Sequence, residues 1–346
     1  MQNRRKFLKY TVLIASASIV QPFNSFKTIN PKDKPQDNES SILPSALKVG
    51  DKVQIVSPAG AVFDLKKIEE FSTILSNLGF IVELAKSASN RYGYLAGTDQ
   101  ERADDINNAF ADKSIKAIFC TRGGWGCARI LSSLDYKLIS ENPKVIMGFS
   151  DITSLLLAIN TKTKLITFHG PVGLSSWDPF STLCFTNTVF LGNRNVFPIG
   201  VEDKTIALNQ GIAQGELIGG NLTVFNSLIG TEYLPNCENK ILFLEELNED
   251  PYKIDRMLTQ LKLAGVLDKL AGFVFGACTK CVSEDPLQSF TIVEVIKHHV
   301  LPLNIPAIYN APFGHTPKKW TVPIGAMAEL DSYNLKLELQ QSAVLV

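Results

Sequence analysis

Histidine occurs four times and cysteine six times in 346 residues. The thiols, Cys120, Cys127, Cys184, Cys237, Cys278 and Cys281, form no disulfide framework. Cys278-Thr-Lys-Cys281 has neither a second pair nor a histidine at zinc-ligand spacing, so no metal and no organic cofactor is expected. A disulfide within that pair stays open if the compartment is oxidising. The chain also lacks a Gly-Lys-Ser/Thr phosphate loop, a dinucleotide fingerprint, an internal repeat and any basic cluster interleaved with aromatics. Nucleic acid is therefore not the expected partner.

Charge of either sign is in balance, but not evenly spread. Seven of 34 basic and three of 34 acidic residues fall in the first 40, leaving 27 against 31 in the remainder, a net of −4. The basic start, Asn3-Arg4-Arg5-Lys6-Phe7-Leu8-Lys9, precedes an apolar run from Thr11 to Val20 that is too short to span a bilayer comfortably. This pattern predicts an export signal of twin-arginine type over residues 1–25, with no stable membrane insertion after its removal and a periplasmic destination. A flexible tether is expected over 26–46, rich in Asn, Lys, Asp, Pro and Ser.

From Leu47 onward short apolar runs alternate with amphipathic stretches. Val53–Val56, Phe80–Leu84, Ala117–Cys120, Val145–Gly148 and Leu165–Phe168 read as strands. Between the first two, Leu65, Ile68, Phe71, Ile74, Leu75 and Leu78 share a helix face that Gly79 ends. Thr98-Asp-Gln-Glu101 has capping-box spacing. The alternation predicts an α/β class with a parallel sheet in a first domain, 47–172. An irregular linker is expected over 173–205, then a second domain, 206–346. There Gly215–Asn221 reads as a glycine-rich turn entering a helix, Ile241–Leu244 as a strand running into Glu245 and Glu246, and Ala326–Leu330 with Leu335–Leu339 as a hairpin.

Ligands on parallel sheets gather at the carboxyl ends of the strands, and two of those ends are unusual. Thr121-Arg122-Gly123-Gly124-Trp125-Gly126 holds three glycines in four positions, a backbone nest for an anion. Lys144-Val-Ile-Met-Gly148-Phe-Ser150-Asp151 runs from a buried strand through a tight turn into a helix. Such a turn lifts a hydroxyl to the sheet edge, where Ser150 is either a nucleophile or an N-cap. A base must come from His169 or His315, which both sit in Gly/Pro turns, since His298 and His299 near a helix end read as solvated; His315, within Pro312–Pro317, is the better candidate. Glu245 is the natural orienter.

Taken in order, Tyr94–Asp99, Arg122–Gly126, Gly148–Asp151, Gly219–Asn221, Leu244–Glu246, Tyr252–Arg256 and Gly314–Thr316 resemble the successive motifs of the LD-carboxypeptidase family of serine peptidases, which includes the microcin-immunity peptidases. The likeness runs from about Leu47 to Val346. It implies a flavodoxin-like N-terminal domain with a smaller swivelling β/α C-terminal domain. By it Ser150 is the nucleophile, His315 the base and Glu245 the orienting carboxylate, with the backbone N–H groups of Gly124 and Asp151 as oxyanion hole. Arg122, Gly123, Trp125, Arg129, His169 and Asn221 are the expected substrate contacts, either arginine holding the substrate carboxylate. The implied partner is a murein tetrapeptide losing its terminal D-alanine; a homodimer stays open. A peptide-nucleotide or cyclic-peptide substrate, and a non-catalytic peptide binder, are the alternatives. Gly148-Phe-Ser-Asp-Ile lacks the second glycine of the usual α/β-hydrolase elbow.

Overall fold

In a computed structural model, which describes residues 41–193, 196–197 and 204–346, the first half carries β1 (Lys52–Val56), β2 (Ile81–Leu84), β3 (Ile115–Cys120), β4 (Val145–Gly148) and β5 (Thr167–His169). Between them lie α1 (Lys66–Asn77), α2 (Asp99–Ala111), α3 (Cys127–Ile130), α4 (Tyr136–Glu141) and α5 (Ile152–Thr163). β3 and β4 are nearly unbroken apolar runs, as suits strands covered by helices on both faces. The strands are parallel in the order β2-β1-β3-β4-β5, the flavodoxin-like winding. α1 buries Ile68, Phe71 and Leu75, and α2 opens on a complete capping box between Thr98 and Glu101.

The second half adds α6 (Pro179–Val189), β6 (Val196–Phe197), β7 (Ile206–Asn209), β8 (Ile212–Asn221), α7 (Leu222–Ser227), β9 (Ile241–Leu247), α8 (Pro251–Leu263), β10 (Gly272–Thr279), α9 (Ile292–Val300), β11 (Ala307–Tyr309), β12 (Val322–Ile324), β13 (Met327–Asp331) and β14 (Lys336–Leu339). Seven of these strands join β6 in an eight-stranded sheet only if β12 is set aside, because β12 leaves for the other sheet. It pairs antiparallel with β5, Val322 opposite His169, and so completes a six-stranded first sheet. In the second sheet β8, β9, β10 and β11 form a parallel centre flanked by antiparallel strands. Helix α5 is buried nearly all round, ten of its twelve residues being inside. It is a core helix held from both sides, and its Thr153 Oγ1 accepts the Asn221 N–H of β8 at 3.1 Å.

Three expectations are corrected here. Residues 41–46 are not tether: Ile42 bridges Leu165 and Ser45 bridges Leu345, so backbone hydrogen bonds bind this stretch to the fold. The signal and the remainder of the tether lie outside the described residues. The stretch read as a linker contains α6, capped by the Asp178 side chain with Pro179 at its first position. Phe185 of α6 packs on Phe119 and Trp177, and Phe71 on the same two rings, each fully buried Phe contributing roughly 1.5–3 kcal/mol. Finally, Gly215–Asn221 is strand, not turn. Its glycines permit close approach instead: a Cβ on Gly219 would stand 1.8 Å from the Phe243 carbonyl oxygen, and one on Gly220 2.5 Å from Thr153 Oγ1.

Candidate active site

β4 ends at Gly148, where a Cβ would come within 2.6 Å of Ile152 Cγ2, so only glycine lets the chain fold back onto α5. Two residues on, Ser150 takes a left-handed backbone, φ +64°. A side chain held there costs on the order of 1 kcal/mol, and the gain is that the hydroxyl stands at the sheet edge while its carbonyl starts the helix by accepting Thr153 N–H at 2.9 Å. Ser150 makes no side-chain cap, and its neighbour Asp151 occupies the N-cap position. The Asp151 carboxylate instead accepts the Cys127 N–H at 2.9 Å, and burial pushes its pKa up.

The glycine loop after β3 presses on this turn. A Cβ on Gly123 would lie 2.7 Å from Ser150 Cβ and 3.0 Å from the Asp151 nitrogen. Gly60 N–H and Arg122 Nε both donate to the Gly123 carbonyl, at 3.2 and 3.3 Å. Because a trans peptide sets N–H opposite C=O, pinning that oxygen turns the Gly124 N–H to the other side. Arg122 Nη1 also donates to the Ala61 carbonyl at 3.3 Å, so this guanidinium braces the loop while lining the cavity.

Across the cavity stand the other two parts. His315 Nδ1 lies 2.7 Å from Glu245 Oε2, and the His315 backbone N–H donates to the same oxygen at 3.2 Å. Gly314, at φ +93°, makes this possible, since a Cβ there would fall 2.5 Å from that oxygen. Thr279 Oγ1 donates to the His315 carbonyl at 2.6 Å and fixes the turn from behind. Burial of Glu245, which has no exposure, works to raise its pKa, but the hydrogen bond and charge of His315 more than offset this and hold it below the usual range. Next along β9, Glu246 accepts from Asn221 Nδ2, Thr223 N–H and Thr223 Oγ1 at 3.0, 2.8 and 2.7 Å, and burial raises it.

Ser150, Asp151, Gly123, Gly124, Arg122, Trp125, Asn221 and His315 thus share one cavity of about 970 Å³, large enough for a short peptide. Trp125 is 64% exposed on its wall, edge-on to Tyr94. Both polar ends of Asn221 are engaged, by Glu246 and by the Val224 N–H. Two expected contacts are not in the wall. Arg129 is exposed and bidentate to Asp99 at 2.8 to 3.0 Å, away from the cavity, because an acidic residue thirty positions earlier already claims it. His169 is buried among Phe149, Phe243 and Phe313, and desolvation lowers it to about 4, so it stays neutral. His299 is not solvated either; its Nε2 meets Asp255 Oδ1 at 2.6 Å between α9 and α8.

Lys319 lines the cavity and was not singled out in the sequence. It is 4% exposed, its Nζ lies 5.4 Å from the Phe149 ring centroid, and burial pulls it down to about 8. The available signal was its place four residues after His315, ahead of a tryptophan. Among the described residues no group of three or more His, Cys, Asp or Glu is arranged to hold a metal ion.

A strained serine at a strand-to-helix turn, facing a carboxylate-held imidazole between two α/β sheets, defines a two-domain serine hydrolase. Models of the LD-carboxypeptidase N-terminal and C-terminal domains match residues 53–170 and 214–330. A probable murein peptide carboxypeptidase of Bacillus subtilis is 37% identical over 298 residues, 84% of this chain and 91% of that one. Among solved structures, a muramoyltetrapeptide carboxypeptidase from Oxalobacter formigenes is similar with TM-score 0.75 at 26% identity, over 85% of this chain and all of that one. MccF in complex with glutamyl sulfamoyl guanosine is similar with TM-score 0.81 at 25% identity, over 87% of this chain and 99% of that one. The chain belongs to the LD-carboxypeptidase family and is a serine-type carboxypeptidase.

Proposed function

We propose that this protein hydrolyses the amide bond joining a terminal D-alanine to an L-centre in murein tetrapeptides, through an acyl-enzyme on Ser150. The observation that carries the reading is the Glu245–His315 pair across the cavity from the Ser150 turn. With Nδ1 held by Glu245, Nε2 is the nitrogen free to take the Ser150 proton as Oγ attacks the scissile carbonyl. The N–H groups of Gly124 and Asp151 meet the developing oxyanion, each contributing roughly 3 kcal/mol to the transition state. His315 returns the proton to the departing D-alanine amine, then deprotonates the water that splits the ester. The relatives named for murein peptides support the substrate class. The reaction is placed outside the cytoplasm on the basic and apolar pattern of residues 3–20.

Mass spectrometry of a murein tetrapeptide incubated with the protein, beside its Ser150→Ala variant, tests this. One D-alanine released by the wild type alone is the expected result, and an intact peptide in both would sink the reading. A second reading keeps the chemistry on a peptide-nucleotide, favoured by the exposed Trp125 face beside Tyr94 and by the likeness to MccF. Release of a nucleotide moiety in the same assay would select it.

A further inference from the structure

Lys319 is a buried cation in the cavity wall that forms no ion pair among the described residues: the carboxylates of Asp178 and Glu245 favour its charge through space, but the first is bonded to Ser181 and the second to His315. Among the described residues its Nζ has no hydrogen bond and no ion pair; its neighbour is the face of Phe149. The backbone around it is fixed. Its N–H donates to Ser181 Oγ at 3.0 Å, Ser181 is itself tied to the Asp178 carboxylate at 2.7 Å, and the adjoining Trp320 is fully buried with its N–H on the Pro312 carbonyl at 2.8 Å. This is not a surface lysine folded inward by chance of rotamer. An ammonium removed from water without a bonded partner is costly, and the cost is recovered when an anion arrives in the same low-dielectric space.

The other cations expected at the site already have hydrogen-bond partners. Arg122 braces the carbonyls of Gly123 and Ala61, and Arg129 is spent on Asp99. Lys319 also stands near the chemistry. His315 and Lys319 Nζ lie 4.8 and 5.4 Å from the centroid of one ring, that of Phe149, so they are no more than about 10 Å apart. A carboxylate one residue from the scissile carbonyl falls within that reach.

Resting on the peptidase reading above, we propose that Lys319 is the carboxylate receptor of this cavity and sets the preference for a substrate carrying a free carboxylate beside the scissile bond. Two sources have that chemistry: the C-terminal carboxylate of the departing residue, and a side-chain carboxylate on the L-centre. Burial lowers the ammonium to about 8 against the opposing pull of Asp178 and Glu245, so it stays mostly charged at pH 7 and a carboxylate bound beside it would raise it again.

The test is titration calorimetry on the Ser150→Ala protein, which binds without turnover. The ligands are a tetrapeptide ending L-lysyl-D-alanine, its C-terminal amide, and the counterpart with diaminopimelate, which adds a side-chain carboxylate. Removing the carboxylate that Lys319 reads is expected to weaken binding roughly 10- to 100-fold. Adding Lys319→Met should abolish that difference, and Lys319→Arg should keep it; Lys319→Gln serves the same arm should the Met variant not fold. Loss of the amide penalty identifies the C-terminal carboxylate, and loss of the diaminopimelate advantage identifies the side-chain one. If both differences persist with Lys319→Met, the proposal falls while the peptidase reading stands. If no peptide binds the Ser150→Ala protein, the peptidase reading falls and takes this inference with it.

Discussion

Gly123 and Ser150 touch so closely that the glycine hydrogen occupies the only space between them: a methyl group there would sit 2.7 Å from Ser150 Cβ and 2.9 Å from Oγ. The contact packs the Gly123 backbone against both the Ser150 side chain and the Asp151 nitrogen. Gly123→Ala is expected to lower kcat by about 10²-fold or more, since displacement of a nucleophile by a fraction of an ångström is costly. Circular dichroism should show the fold intact. A variant with wild-type turnover would mean that the serine does not act from this position.

Glu245 touches no cavity surface, yet it holds His315 at two points. Glu245→Gln preserves the shape and disturbs the tautomer and charge, so kcat should fall by roughly 10³- to 10⁴-fold with KM little changed. The double variant with His315→Ala should be no worse than His315→Ala alone, because the pair acts as a unit. Additive losses, measured by steady-state kinetics, would contradict the coupling.

Two buried lysines offer a matched comparison. Lys144 and Lys319 are both drawn down to about 8 by burial, but the Lys144 ammonium donates to the Asp112 and Ile115 carbonyls whereas Lys319 donates to nothing among the described residues. Lys144→Met leaves two carbonyls without a donor and should destabilise by about 1–3 kcal/mol. Lys319→Met should be neutral or stabilising at pH 7. The sign of the pH effect follows from the lowered folded pKa. Between about 8 and the ordinary 10.5 the unfolded chain binds more protons, so each lysine makes stability rise with pH across that window. Denaturant midpoints from pH 7 to 10 should show the rise, and less of it in Lys319→Met.

The proposed activation of the hydroxyl by the Glu245–His315 pair needs no metal, so turnover is expected to survive EDTA. Loss of activity that a divalent cation restores would overturn the serine relay as the source of activation.

Much of this was legible because local chemistry and tertiary packing agree. The apolar strand before Gly148 and the core helix after it announce the Ser150 turn, and the capping box at Thr98 sets the start of α2. What could not be read was which of several equivalent side chains ends up facing the cavity. His169 and His315 occupy similar Gly/Pro turns, and although His315 reads as the better candidate for the base, the packing of Phe149, Phe243 and Phe313 that removes His169 from the wall leaves no local mark. Arg122 and Arg129 are both in or beside the glycine loop, and the difference is Asp99, thirty residues away from the second. Glycines in β8 read as a turn because close backbone approach and tight turning call for the same residue.

The return of β12 to the edge of β5 has a consequence for how the molecule is made. Val322 meets His169 only after some 150 intervening residues have been synthesised and folded, a non-local closure of the slow kind. Until then β5 is a bare edge open to pairing with another chain. The strand that seals it follows His315 by seven residues, so protection from aggregation and completion of the proposed relay arrive in the same late step of folding.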